Sequence, residues 1–90
     1  FQQLAVAVGT APAYPRPAIQ RNMQGTVMLR VHVDASGKPI EVSIEQSSGF
    51  RLLDEAALKH VKARWKFVPA QANGQAVEAW GLVPVEFVLE

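Results

Sequence analysis

The sequence predicts an α+β domain, a three-stranded antiparallel sheet with two helices packed on one face. Three observations carry this reading. Between Thr26 and Glu45 apolar residues recur at every second position in two runs separated by turn residues. From Arg51 to Arg64 they recur at helical spacing, and from Gln75 to Leu89 the period returns to two. Alternation lines one face of a strand, whereas spacings of three and four line one stripe of a helix.

The elements follow in chain order. LAVAV at 4–8 reads as a short strand or a docked arm. GTAPAYPRP at 9–17 is held extended by Pro12, Pro15 and Pro17, since each lacks an N–H and restricts the residue before it. Pro15 or Pro17 opens a short helix ending near Asn22, with Gly25 as a breaker. Val27, Leu29, Val31 and Val33 then face one way, and Met28, Arg30, His32 and Asp34 the other. DASGKP at 34–39 supplies a turn, and Ile40, Val42 and Ile44 continue the apolar face of a hairpin.

SSG at 47–49 ends that strand. In the helix that follows, Leu53, Ala57 and Val61 form the apolar stripe and Ala56 widens it. Asp54 and Glu55 stand early, and Lys59, Lys62 and Arg64 late, the order that suits the helix dipole. WKFVPA at 65–70 is extended, and Trp65 and Phe67 share a parity that points both toward Leu53 and Val61. ANG at 72–74 is a turn. In the final run Val77, Ala79, Val83, Val85, Phe87 and Leu89 share one face. Gly81 and Pro84 argue against a central strand, and Pro84 places this one at an edge or in a bulge.

Composition narrows the function. Ninety residues make one small domain, which buries roughly 60–65% of the surface its unfolded chain exposes. A net charge of +1, from nine basic and eight acidic residues, is no electrostatic footprint for nucleic acid. The absence of cysteine excludes disulfides and thiolate metal sites. No apolar run reaches the length of about 20 residues that spans a bilayer. The chain starts at Phe1, which reads as a fragment whose targeting segment lies outside it.

Catalytic chemistry finds no constellation. Ser47 and Ser48 have no nucleophile-elbow glycines around them and no base nearby in sequence. His60 lies on the helix and His32 on the polar face of the first long strand, and the two make no metal-binding pattern. Lys59, Lys62, Arg64 and Lys66 read as a solvated helix end. The second sheet face stands out instead. Met28, Trp80, Leu82 and Val88 point away from the helices, where either the arm or a partner covers them. A long edge strand is also a template for an added strand.

In this order and spacing, YPRPA at 14–18, GTVMLRVHVDASGKP at 25–39, SSGFRLLDEAAL at 47–58, WKFVPA at 65–70, NGQAV at 73–77 and VPVEF at 83–87 resemble the TonB C-terminal domain family over about residues 12–89. The resemblance implies a TonB C-terminal-like fold, with 1–11 as an arm or the end of a linker and 12–90 as the domain. It implies the spatial strand order second, first, last. It also implies a periplasmic domain of an inner-membrane-anchored protein from a Gram-negative bacterium. Such a domain is an adaptor without enzymatic activity or cofactor. It takes energy from the proton-motive force through ExbB and ExbD and grasps the TonB box of an outer-membrane transporter, for uptake of iron-siderophore complexes, haem or cobalamin.

The implied partner-binding residues are Tyr14 and Pro15 of the family's YP motif, with Gln75, Val77, Ala79, Trp80, Leu82, Val83, Val85 and Phe87 on the edge strand 75–89. Ala11 stands where the best-known member has a glutamine near the bound box, but strand addition relies mainly on backbone groups. Two competing readings belong to other classes. One is a TolA-like or structural periplasmic domain that dimerises or binds peptides through its open edge. The other is a small serine hydrolase using Ser47 or Ser48.

Overall fold

The alternation that begins after Gly25 becomes a strand because its odd positions have a core to enter. The computed structural model describes residues 2–89. Its central strand β2 (Gly25–Val33) buries Val27, Leu29, Val31 and Val33 almost completely. The hairpin partner β3 (Pro39–Gln46) lies antiparallel on one side, and β7 (Ala79–Phe87) lies antiparallel on the other, giving the order β3-β2-β7. Val83, Val85 and Phe87 of β7 join the same face.

That face carries the helices. Helix α1 (Arg16–Gln20) has proline in its first turn and buries Ala18. Helix α2 (Arg51–Arg64) has the predicted bounds and sinks Leu53, Ala57 and Val61 into the cluster. The short strand β4 (Lys66–Phe67) adds Phe67, which is 2% exposed. Trp65 departs from expectation. It caps the end of α2, packs on the margin of the core, and tilts against Phe67 at 6.1 Å between ring centroids.

Two turns fix the register. Asp34 Oδ1 accepts hydrogen bonds from Ser36 N–H (2.9 Å), Ser36 Oγ (2.7 Å) and Lys38 N–H (2.9 Å), closing the β2–β3 turn. Gly37 has φ +90° and approaches β4 so closely that a Cβ there would stand 2.1 Å from the Phe67 carbonyl oxygen. The Phe67 N–H donates back to the Gly37 carbonyl at 2.8 Å. Asn73 (φ 53°) and Gly74 (φ 78°) form the second turn, a positive-φ pair of the kind that joins two-residue hairpins.

Two departures from the simple alternation have local causes. The run 75–89 is not one strand, because the Asn73–Gly74 turn folds β6 (Gln75–Val77) back onto β5 (Ala70–Ala72) before β7 begins. In β3, register shifts leave Ile40 and Glu45 as extra residues, since Val33 faces Pro39 and Met28 faces Gln46. Pro39 therefore takes the buried place, while Ile40 is 43% exposed. Ile44 opposes Leu29 but stays 41% exposed on the outermost strand.

The N-terminal arm is both of the things its sequence allowed. β1 (Val6–Val8) pairs antiparallel with β4, and residues 2–4 dock beyond it on the edge of β7. Among the described residues no helix is long and apolar enough to cross a membrane.

Candidate partner-binding edge

The serines, aspartate and histidine of 47–60 resolve into packing devices. Asp54 sits in the first turn of α2 and is 6% exposed. Its carboxylate accepts the Ser47 hydroxyl, the Ser48 N–H (2.9 Å) and the Ser48 hydroxyl (2.7 Å). Burial pushes this carboxyl up, but the three hydrogen bonds outweigh it and hold the group below its ordinary value. Phe50 at the N-cap offers no side-chain bond, so Asp54 instead ties the SSG turn to the helix. His60 faces elsewhere, with Nε2 at 2.9 Å from both Thr10 Oγ1 and the Thr10 carbonyl oxygen. The Trp65 indole N–H donates to that same carbonyl at 2.7 Å. Both serines thus serve a carboxylate and the histidine serves the arm. Among the described residues no cluster of three His, Cys, Asp or Glu could hold a metal.

Tyr14 and Pro15 also hold the fold. The Tyr14 hydroxyl donates to the Met23 carbonyl, and its ring meets Phe87 edge-on at 5.3 Å and 85°. The Pro15 carbonyl accepts the N–H groups of Ala18 and Ile19, both at 3.0 Å, starting α1. These two residues lie toward the Phe87 end of β7, whereas Trp80 and Leu82 lie toward the other.

The edge itself is a backbone object. β7 pairs with β2 over nine residues, Gly25↔Phe87 to Val33↔Ala79, without a register shift. The Leu82 N–H donates outward to the Gln2 carbonyl (2.9 Å), and the Leu82 carbonyl accepts the Leu4 N–H (2.8 Å). Since N–H and C=O directions alternate along a strand, Trp80, Pro84 and Glu86 also turn their backbone groups outward. Val83, Val85 and Phe87 turn theirs to β2 and their side chains to the core. Pro84 therefore lacks its N–H only on the outer side, and the ladder to β2 needs no bulge.

Of the remaining expected residues, Ala79 begins β7, while Gln75 and Val77 pair with Ala72 and Ala70 in the separate hairpin. The second sheet face carries half-buried Met28 and Leu82, and Trp80 is 40% exposed. His32 stacks on Trp80 at 4.6 Å and 13°, and Arg30 donates to Glu45 from Nε (3.0 Å) and Nη2 (2.6 Å). The arm follows the edge, with Leu4 reaching round to the core side. Gly81 and Glu86 lie within the expected edge strand 75–89 but were not singled out as partner-binding residues, and Leu4 of the arm was not placed on this edge. A glycine inside an alternating run was the available signal, because it marks close approach of another chain segment.

Comparison with known proteins agrees with this architecture. The family model described as Gram-negative bacterial TonB protein C-terminal matches residues 10–89. Protein tonB2 of Pseudomonas aeruginosa is 52% identical over 79 residues, covering 88% of this chain and 29% of that protein. Protein TonB of Vibrio cholerae is 39% identical over 85 residues, covering 94% of this chain and 34% of its own length. Protein TonB of Xanthomonas campestris pv. campestris is 44% identical over 78 residues, with coverages of 87% and 34%. The chain thus spans about a third of the length of these relatives. The solution structure of the Pseudomonas aeruginosa TonB C-terminal domain superposes with a TM-score of 0.74 at 23% identity, covering 98% of this chain and 88% of that one, and shares the fold. A matched family model over nearly the whole chain, together with these relatives, makes this a non-enzymatic adaptor domain of the TonB C-terminal family.

Proposed function

We propose that this domain is the periplasmic, transporter-grasping end of an energy transducer. In this reading the whole protein is anchored in the inner membrane and driven by the proton-motive force through ExbB and ExbD. The domain adds the TonB box of an outer-membrane transporter to the edge of β7, coupling that energy to uptake of iron-siderophore, haem or cobalamin cargo.

One observation carries the reading. The outer side of β7 already exchanges two backbone hydrogen bonds with an extended segment at Leu82. An edge that takes one extended segment has the donors and acceptors to take another. The opposite edge is less suited, since the two register shifts in β3 break its line of backbone groups. Within the proposed site, Trp80, Leu82, Pro84 and Glu86 supply outward groups. Val83, Val85 and Phe87 brace the strand from the core, Tyr14 fixes its far end through Phe87, and Pro15 starts the helix that follows Tyr14.

Titration with box peptides from transporters of the same cell tests this. The expected result is saturable amide shifts concentrated in 79–87 without chemical turnover of the peptide. Absence of saturation at millimolar peptide contradicts it. Concentration-dependent dimerisation without peptide binding would favour a structural domain instead.

A further inference from the structure

The edge proposed for the partner is occupied by the chain's own N-terminal arm. Leu4 donates to the Leu82 carbonyl (2.8 Å), and Leu82 donates to the Gln2 carbonyl (2.9 Å). The Leu4 side chain fills the space that a side chain at position 81 would need. A Cβ on Gly81 would stand 2.4 Å from Leu4 Cγ and from Leu4 Cδ2, and 2.9 Å from the Gln2 carbonyl oxygen. Behind this tip the arm has separate moorings. The Val68 N–H donates to the Ala5 carbonyl (2.9 Å), β1 pairs with β4, and Thr10 is held by His60 and Trp65.

We infer that residues 2–4 are a built-in competitor for the β7 edge, which a partner strand must displace while 5–10 stay moored. The inference rests on the reading that β7 receives the partner. The same backbone groups of Leu82 cannot serve the arm and an incoming strand together. Apparent affinity therefore scales with the fraction of molecules whose arm tip is open. The Gly81 notch further favours an incoming segment with an aliphatic side chain in Leu4's place, because that space is apolar and continuous with the core. Tethering makes the competitor effective at any protein concentration.

Leu4→Asp places a charge in an apolar notch and should release the tip, and Leu4→Pro removes the N–H that bonds Leu82. Two measurements on the 90-residue chain decide the matter. Without peptide, amide exchange at Leu82 should be slow in the parent and faster in both variants, with Val83 unchanged as the internal control. With a box peptide, both variants should bind on the order of tenfold more tightly than the parent, given two hydrogen bonds and one apolar contact holding the tip. Gly81→Ala expels the arm and also fills the notch, so it should speed Leu82 exchange without tightening binding. Fast Leu82 exchange in the parent overturns the inference. So does equal peptide affinity in parent and Leu4 variants, which leaves the strand-addition reading standing. A peptide that binds none of the chains overturns that reading and the competition with it.

Discussion

Ser48 donates both its backbone N–H (2.9 Å) and its hydroxyl (2.7 Å) to the same oxygen of Asp54. This pairing joins the end of β3 to the start of α2 without a side chain at the helix N-cap. Asp54→Ala leaves those donors without their acceptor. Hydrogen bonds to charged groups are worth about 1.5–3 kcal/mol each, though bonds sharing one acceptor are not additive. Asp54→Ala should therefore lower stability by about 2–4 kcal/mol in a denaturant melt. Ser48→Ala, which keeps the backbone bond, should cost less.

The same carboxylate makes a pH prediction. Asp54 is held below its ordinary value in the folded state, so its contribution is fully present above the unfolded pKa, near 3.9. That contribution is lost as pH falls through the lower folded value. Asp54→Asn should thus be less stable than the parent at neutral pH, with the difference shrinking below about pH 4. Asp34 is also lowered by its Ser36 and Lys38 bonds, so the Asp54→Asn variant keeps some acid sensitivity of its own. The test is the melting difference between the two proteins against pH. A difference constant from pH 7 to pH 2 would contradict it.

Phe67 and Trp65 should separate on truncation. Phe67 is 2% exposed and belongs to the core, so Phe67→Ala should cost about 3–5 kcal/mol. That approaches the whole stability of a small domain, about 5 kcal/mol at the low end. Trp65 packs at the margin, so Trp65→Ala should cost less and leave a cooperative melt. Trp65→Phe keeps much of the packing, removes the bond to the Thr10 carbonyl, and should loosen the arm near Thr10 by hydrogen exchange.

Pro84 tests the direction of the edge. Its nitrogen faces away from β2, so Pro84→Val should gain no ladder bond to β2 and shift stability by less than about 1 kcal/mol. It does supply the missing outward donor. Peptide binding should tighten by up to about fivefold if the added strand runs that far, and self-association through the edge should rise. A large stabilisation of the free domain would mean that position 84 points inward.

The β2–β3 hairpin and α2 were legible because period, turn residues and the order of charges along the helix agree along GTVMLRVHVDASGKP and FRLLDEAALKHVKAR. The β5–β6 hairpin was visible only as its Asn73–Gly74 turn, since the small residues of AQANGQAV show no strong alternation. Trp65 was misplaced because strand parity was applied to a residue that ends a helix. Ile40 fell out of the core through a register shift that alternation alone does not encode. Pro84 gave the edge correctly. Which segment fills that edge depends on where 2–4 land in space, and only Gly81 marked the landing place in sequence.

Amide exchange along β7 in the presence of saturating box peptide tests strand addition most directly. Outward-facing amides should respond with a period of two. Glu86 should gain protection if the added strand reaches it, and Leu82 should remain protected as the arm's bond is replaced by the peptide's. Val83 and Val85, already bonded to β2, should change little. The Leu4→Asp variant sharpens the contrast, because there Leu82 starts unprotected and should become protected only when peptide is added. That alternating pattern is the result this account predicts. Uniform changes along 79–87, or changes centred on Met28 and Trp80 with Leu82 still exposed in that variant, would contradict it.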